Sequence, residues 1–180
     1  MYGIDLLIEE HKNILRFTDL MNQLCCQIID GHEPNVVVFS EGIAFARNYA
    51  DKHHHGKEEK ILFRVMQEKL GSVAEKLIQH GMLVEHDLGR YHITELESAL
   101  DSYKKNPSTQ GKLSIITHAS AYADLLKRHI EKEDSVVYSF ADRMLTKEDK
   151  KLIDEETQGV EQEAREKDIQ KFVIWLQDHE

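Results

Sequence analysis

HHHGKEEKILF, residues 53–63, sets three consecutive histidines one turn ahead of two glutamates and then returns to apolar residues. A solvated helix face can carry such a run, whereas a metal site needs one histidine and one glutamate from it. Periodicity separates the two readings. The apolar stripe through this stretch is Ile43, Ala46, Ala50, His54, Glu58, Ile61 and Val65, stepping by three or four as one face of an α-helix does. His54 and Glu58 interrupt that face. His55 falls with Asn48, Asp51, Lys52 and Glu59 on a polar stripe, and His53 is intermediate. The expectation is therefore an inward His54 and Glu58, with the neighbouring histidines on the solvated flank.

A second helical pattern repeats the arrangement. Its stripe is Ile115, Ala119, Tyr122, Leu126, His129, Glu133, Val136 and Phe140, again with His and Glu four apart on the core face. At that separation two side chains lie roughly 6 Å apart along the axis and about 40° apart around it. Two further patterns each offer one inward histidine. His11 follows Leu7 and Ile8, and His86 shares a face with Met82, Gly89, Ile93 and Leu100.

The breaks between patterns fix how these helices run. Helical stretches cover Asp5–Asp30, Val36–Lys69, Ser72–Tyr103 and Lys112–Leu145, joined by short connections at Gly31, Gly71 and KKNPSTQG. Ser72 and Glu75 form a capping-box pattern for the third. Four helices with short connections predict an antiparallel up-down-up-down bundle over residues 1–145. Thr146 and Asp149 predict the start of a C-terminal helical segment, 146–180, broken near Gly159 and packed on the bundle or a partner. Measured from the connections, His11 and His54 are each 19 residues from theirs, and the other helix pairs differ by at most two residues. At 1.5 Å per residue that is a mismatch of about 3 Å at most. Four histidines from four helices thus meet at one level. By the same ruler His118, His80, His92, His32 and His179 are surface or structural residues.

Composition agrees. A chain of 180 residues with two prolines, nine glycines and 41% hydrophobic content suits one all-helical core. A net charge of −10 argues against a generic nucleic-acid surface or an anionic membrane as partner. No apolar run reaches the roughly 20 residues that span a bilayer, and MYGIDLLIEEH lacks the features of a signal peptide. A cytoplasmic protein is expected. Cys25 and Cys26, adjacent in a helix, read as covered thiols outside any disulfide framework.

Four imidazoles and two carboxylates in a bundle core require a compensating cation. The set is too large for one tetrahedral zinc and has no thiolate cluster. Mixed nitrogen and oxygen donors suit a pair of iron or manganese ions, with Glu58 and Glu133 as bridges, although donor type alone also admits zinc. Asp134 is the alternative to Glu133. Gly89 leaves space for a small ligand or for close packing, and Tyr122 is a candidate hydrogen-bond or electron donor.

The motifs themselves resemble those of the hemerythrin-like, HHE cation-binding family. HHGKEEKILF, MLVEHDLGR, HIEKEDSVVY and LLIEEHKNIL are similar to its second-, third-, fourth- and first-helix segments. The resemblance covers about residues 1–145 and implies a four-helix bundle with a non-haem di-iron centre on His11, His54, Glu58, His86, His129 and Glu133. Oxygen-carrying members use five histidines, two of them a turn apart on the third helix, where the positions near His86 are Met82 and Arg90. The six-ligand pattern is closer to di-iron members linked to iron–sulfur cluster repair. The implied function is binding, sensing or detoxification of oxygen, nitric oxide or peroxide, with iron storage or donation as an extension. A redox-responsive signalling module and a metal-stapled structural bundle are the alternatives. Apolar residues on the last helix admit a homodimer.

Overall fold

The computed structural model describes residues 1–166 and 169–179. Among these every regular element is helical: α1 (Tyr2–Ile29), α2 (Val36–Phe45), α3 (Phe63–Leu70), α4 (Ser72–Leu77), α5 (Leu83–Lys105), α6 (Thr109–Lys132), α7 (Tyr138–Met144), α8 (Lys147–Glu166) and α9 (Gln170–Gln177). Four wide, π-helical stretches, Ala46–His55, Glu58–Leu62, Ile78–Met82 and Glu133–Val137, join some of these end to end. The result is four rods: α1, α2 through α3, α4 through α5, and α6 through α7. α1 packs on α6, α6 on α5, α5 on α2 and α2 on α1, which closes the bundle.

Two apolar clusters fill it. One gathers Ile14, Phe17, Met21, Phe39, Phe45, Leu96 and Leu126, and the other Leu7, Leu62, Phe63, Met66, Ile78, Val137 and Tyr138. All four π-helical stretches lie near the boundary between them in sequence. A wide turn bonds residue i to i+5, so each residue advances less than the 100° of an α-helix and neighbours stay on one side longer. This corrects two expectations. His53 and His55 are buried beside His54 rather than solvated. In the fourth rod the inward positions after Glu133 are Val137, Tyr138 and Ala141, while Val136 is exposed.

Helix ends follow local chemistry. Asn35 caps α2 by accepting from Val38 N, and Ser108 caps α6 by accepting from Gly111 N. Thr146 and Asp149 cap each other before α8, with Asp149 N donating to Thr146 Oγ1 at 3.2 Å and Thr146 Oγ1 to Asp149 Oδ2 at 2.7 Å. The Ser72 capping box does not form. Gly71 takes the cap position with φ 68° and ψ −152°, so Ser72 is already helical. That backbone region is open essentially to glycine alone. Gly71→Ala is expected to lower stability by about 1–3 kcal/mol, read as a fall in urea midpoint at unchanged slope.

The C-terminal segment folds back on the bundle. Gly3 N donates to Asp154 Oδ1 at 2.8 Å, Trp175 Nε1 to Glu41 Oε2 at 2.9 Å, and Leu176 joins the first apolar cluster. α8 runs unbroken through Gly159, against the expected break there. Cys25 is buried and Cys26 exposed, both as free thiols, so covering applies only to the first. No described helix is long and apolar enough to cross a membrane.

Candidate metal centre

One inward turn from each rod builds the polar layer. His11, His54, His55, Glu58, His86, His129 and Glu133 are all at most 4% exposed. Their donor atoms form two sets. His55, Glu58, His86 and His129 offer atoms within 4.8 Å of one another, and so do His11, His54, Glu58 and Glu133. Glu58 belongs to both: its Oε2 stands 3.8 Å from His54 Nε2 and 3.5 Å from His86 Nε2. Glu133 faces both as well, with Oε1 3.2 Å from His129 Nε2 and Oε2 3.3 Å from His11 Nε2. The geometry therefore brings together all six residues expected from the sequence and adds His55, which stacks on His86 at 3.8 Å between ring centres.

The electrostatics of the layer are unbalanced. Burial raises the Glu58 carboxyl well above its usual range, and the charge of Glu133 pushes the same way. Burial also opposes ionisation of Glu133, but His129, His11 and His86 hold it well below the ordinary value. Burial works against a charged His129, yet Glu133 and Glu85 lift it to about 9. Glu58 Oε2, both oxygens of Glu133 and His55 Nδ1 are buried without a hydrogen-bond partner. Orphaned polar atoms of this kind are rare in a folded core. Converging nitrogen and oxygen donors, two shared carboxylates and no thiolate fit a pair of divalent or trivalent cations.

The model of the hemerythrin HHE cation-binding domain matches residues 2–141. The chain belongs to that family. No curated protein and no solved structure matches it. Cation binding is what membership in the hemerythrin HHE family implies, and the two buried histidine and glutamate sets are the place for it.

Around this hemerythrin-type layer runs a ring of four carboxylates, of which sequence reading singled out only Asp134. Glu10 of the first rod meets His54 Nδ1 of the second at 2.8 Å. Glu59 of the second meets His86 Nδ1 of the third at 2.7 Å. Glu85 of the third meets His129 Nδ1 of the fourth at 2.9 Å, and Asp134 of the fourth meets His11 Nδ1 of the first at 2.8 Å. Asp134, the alternative bridge, thus stands outside the centre. A carboxylate on Nδ1 fixes the ring's orientation and leaves Nε2 as the inward donor, as partners of metal-bound histidines do. His55 has the looser version, with Asp51 Oδ1 3.5 Å from its Nδ1. Arg90 joins two of these acids, its Nη2 lying 2.7 Å from both Asp51 Oδ1 and Glu59 Oε1.

Two more residues went unseen. Tyr138 donates to Glu58 Oε1 at 2.6 Å and lies 3.4 Å from His11 Nε2. Glu10, His53 and Glu161 form a third cluster of the metal-binding kind, but the Lys57 ammonium already fills it. Lys57 donates to Glu10 Oε1 and to Glu161 Oε1, the latter at 2.6 Å, and lies 3.1 Å from His53 Nε2. Far from the layer, His92 and His118 pair through their Nδ1 atoms at 3.2 Å, half-buried between α5 and α6.

Proposed function

We propose that the protein holds a pair of non-haem iron ions on His11, His54, Glu58, His86, His129 and Glu133, with His55 as a seventh donor. At that pair it binds, senses or detoxifies a small molecule of the class of oxygen, nitric oxide or peroxide. The observation that carries this reading is that Glu58 belongs to both buried donor sets while Glu133 reaches from His11 in one to His129 in the other. Iron in such a set supplies one-electron chemistry within a protected core. The chain's part is to orient the imidazoles through Glu10, Glu59, Glu85 and Asp134, and to hold Glu58 through the Tyr138 hydroxyl. Manganese or zinc would suit the same atoms, and supply in the cell selects among them. A cytoplasmic location, iron donation and a role in stress belong to this proposal as well. With His55 present, the histidine count no longer separates this chain from oxygen carriers.

The test is anaerobic purification with ferrous iron, followed by titration with oxygen, nitric oxide or peroxide under absorption spectroscopy. A new visible band, saturating near one molecule per metal pair, is the expected result. A spectrum that responds to none of them leaves a metal-stapled bundle and removes the small-molecule function.

A signalling reading has its own support. Glu161 on α8 reaches His54 through Lys57 and Glu10, a physical link from a metal-facing imidazole to the C-terminal helices. Hydrogen exchange along α8 that differs between reduced and oxidised protein is its expected signature.

A further inference from the structure

His92 of α5 and His118 of α6 face each other across the seam between the third and fourth rods, their Nδ1 atoms 3.2 Å apart. We propose that this pair, with Glu95, forms a second metal site, separate from the buried centre and suited to a divalent cation of the zinc class. It does not depend on the function proposed above. His92 lies six residues beyond His86, about 9 Å along the helix. Both rings are half-buried, so solvent ions reach them as they do not reach the centre.

Distance is the first argument. Zinc binds imidazole nitrogen at about 2.0–2.1 Å, so two corners of the tetrahedron around it stand about 3.3 Å apart. Adjacent corners of a square plane, which divalent copper prefers, stand about 2.9 Å apart. The observed 3.2 Å matches the tetrahedron. With ring centres 5.5 Å apart the imidazoles meet nearly head-on and share one proton. Converging on a cation needs a tilt of each ring.

The surroundings favour that exchange. Each metal-facing ring of the centre that carries a close carboxylate carries it on Nδ1, as His86 does with Glu59. Among the described residues no carboxylate pairs with His92 or His118, and their Nδ1 atoms point at each other instead. Burial, with His118 adding to it, pushes His92 below the ordinary imidazole value, which keeps that ring neutral. Tyr91 stands edge-on to both rings, 5.2 and 6.0 Å between centres, and braces them. Glu95, one turn beyond His92, lines a cavity of about 380 Å³ together with His118. No described residue pairs with its carboxylate, which is free to swing to the cation as a third donor. Two imidazoles, a carboxylate and a water complete a tetrahedral zinc site.

Zinc titration of the full chain tests this. Wild-type protein should take up one more zinc per chain than His92→Gln or His118→Gln, with circular dichroism showing that each variant folds. Labelled-histidine resonances of His92 and His118 should move together as that ion binds, and Glu95→Gln should need more zinc for the same movement. In His54→Ala, which disturbs the buried centre, both resonances should still move, so failure of the centre and failure of this site are read separately. Equal zinc counts in wild type and both histidine variants, a His92 resonance that zinc leaves in place, or unchanged affinity in Glu95→Gln would each overturn the assignment.

Discussion

Glu133→Ala is expected to strip at least one iron from a protein that otherwise binds about two per chain. The reason is geometric. Its two carboxylate oxygens face opposite donor sets, one toward His129 and the other toward His11, so one substitution removes an anion from both. His54→Ala removes a donor from one set only and is expected to cost that ion while the other stays. Asp134→Ala removes no inward donor but frees the His11 ring, and a weakening of about 10- to 100-fold is expected there. His55→Ala should loosen the ion on the side of His86 and His129. Metal analysis after dialysis, with helical content checked by circular dichroism, reads all four. Unchanged iron in both Glu133→Ala and His54→Ala would remove the centre from these residues.

What the sequence made legible depended on period. His11, His54, His86 and His129 stand out because an α-helical stripe and a count of residues from each turn suffice to align them. His55 and Tyr138 were hidden because wide turns shift the inward face by a residue at Ala46–His55 and Glu133–Val137, and a 3.6-residue ruler passes over both.

The outer carboxylates were hidden differently, yet each is adjacent in sequence to an inward residue: Glu10 to His11, Glu59 to Glu58, Glu85 to His86 and Asp134 to Glu133. One residue of an α-helix turns the side chain by about 100°, from the bundle axis toward the seam with a neighbouring rod. In the first and third rods the acid precedes the inward residue, and in the second and fourth it follows. That alternation is what antiparallel neighbours require if every acid is to reach the next rod in the same sense around the bundle. The pairs Glu10–His11 and Glu85–His86 therefore carry topology as well as chemistry, and a reader who knew the seam rule could have found the ring.

Lys57→Met is expected to destabilise the fold by about 3–5 kcal/mol, the cost of breaking a buried charge cluster by removing one partner. Lys57 is 2% exposed, and its ammonium lies against both Glu10 and Glu161. Without it the Glu10 carboxylate keeps only the imidazoles of His53 and His54, and Glu161 only that of His53, 3.4 Å from its Oε1. Burial opposes an ionised Glu10, and the pull of His53, His54 and Lys57 is what holds its pKa far below the usual value. At this chain length the loss corresponds to a fall of roughly 10 °C in Tm. Glu161→Gln, at a side chain 22% exposed, should cost less, because water reaches that end of the cluster. The double variant separates the terms: with both partners gone, the loss should be smaller than the sum of the two single losses. Additive losses, or a Lys57→Met protein as stable as wild type, would mean that the ammonium does not tie α8 to the acid orienting His54. The signalling reading would then lose the path that runs from Glu161 through Lys57 and Glu10 to His54.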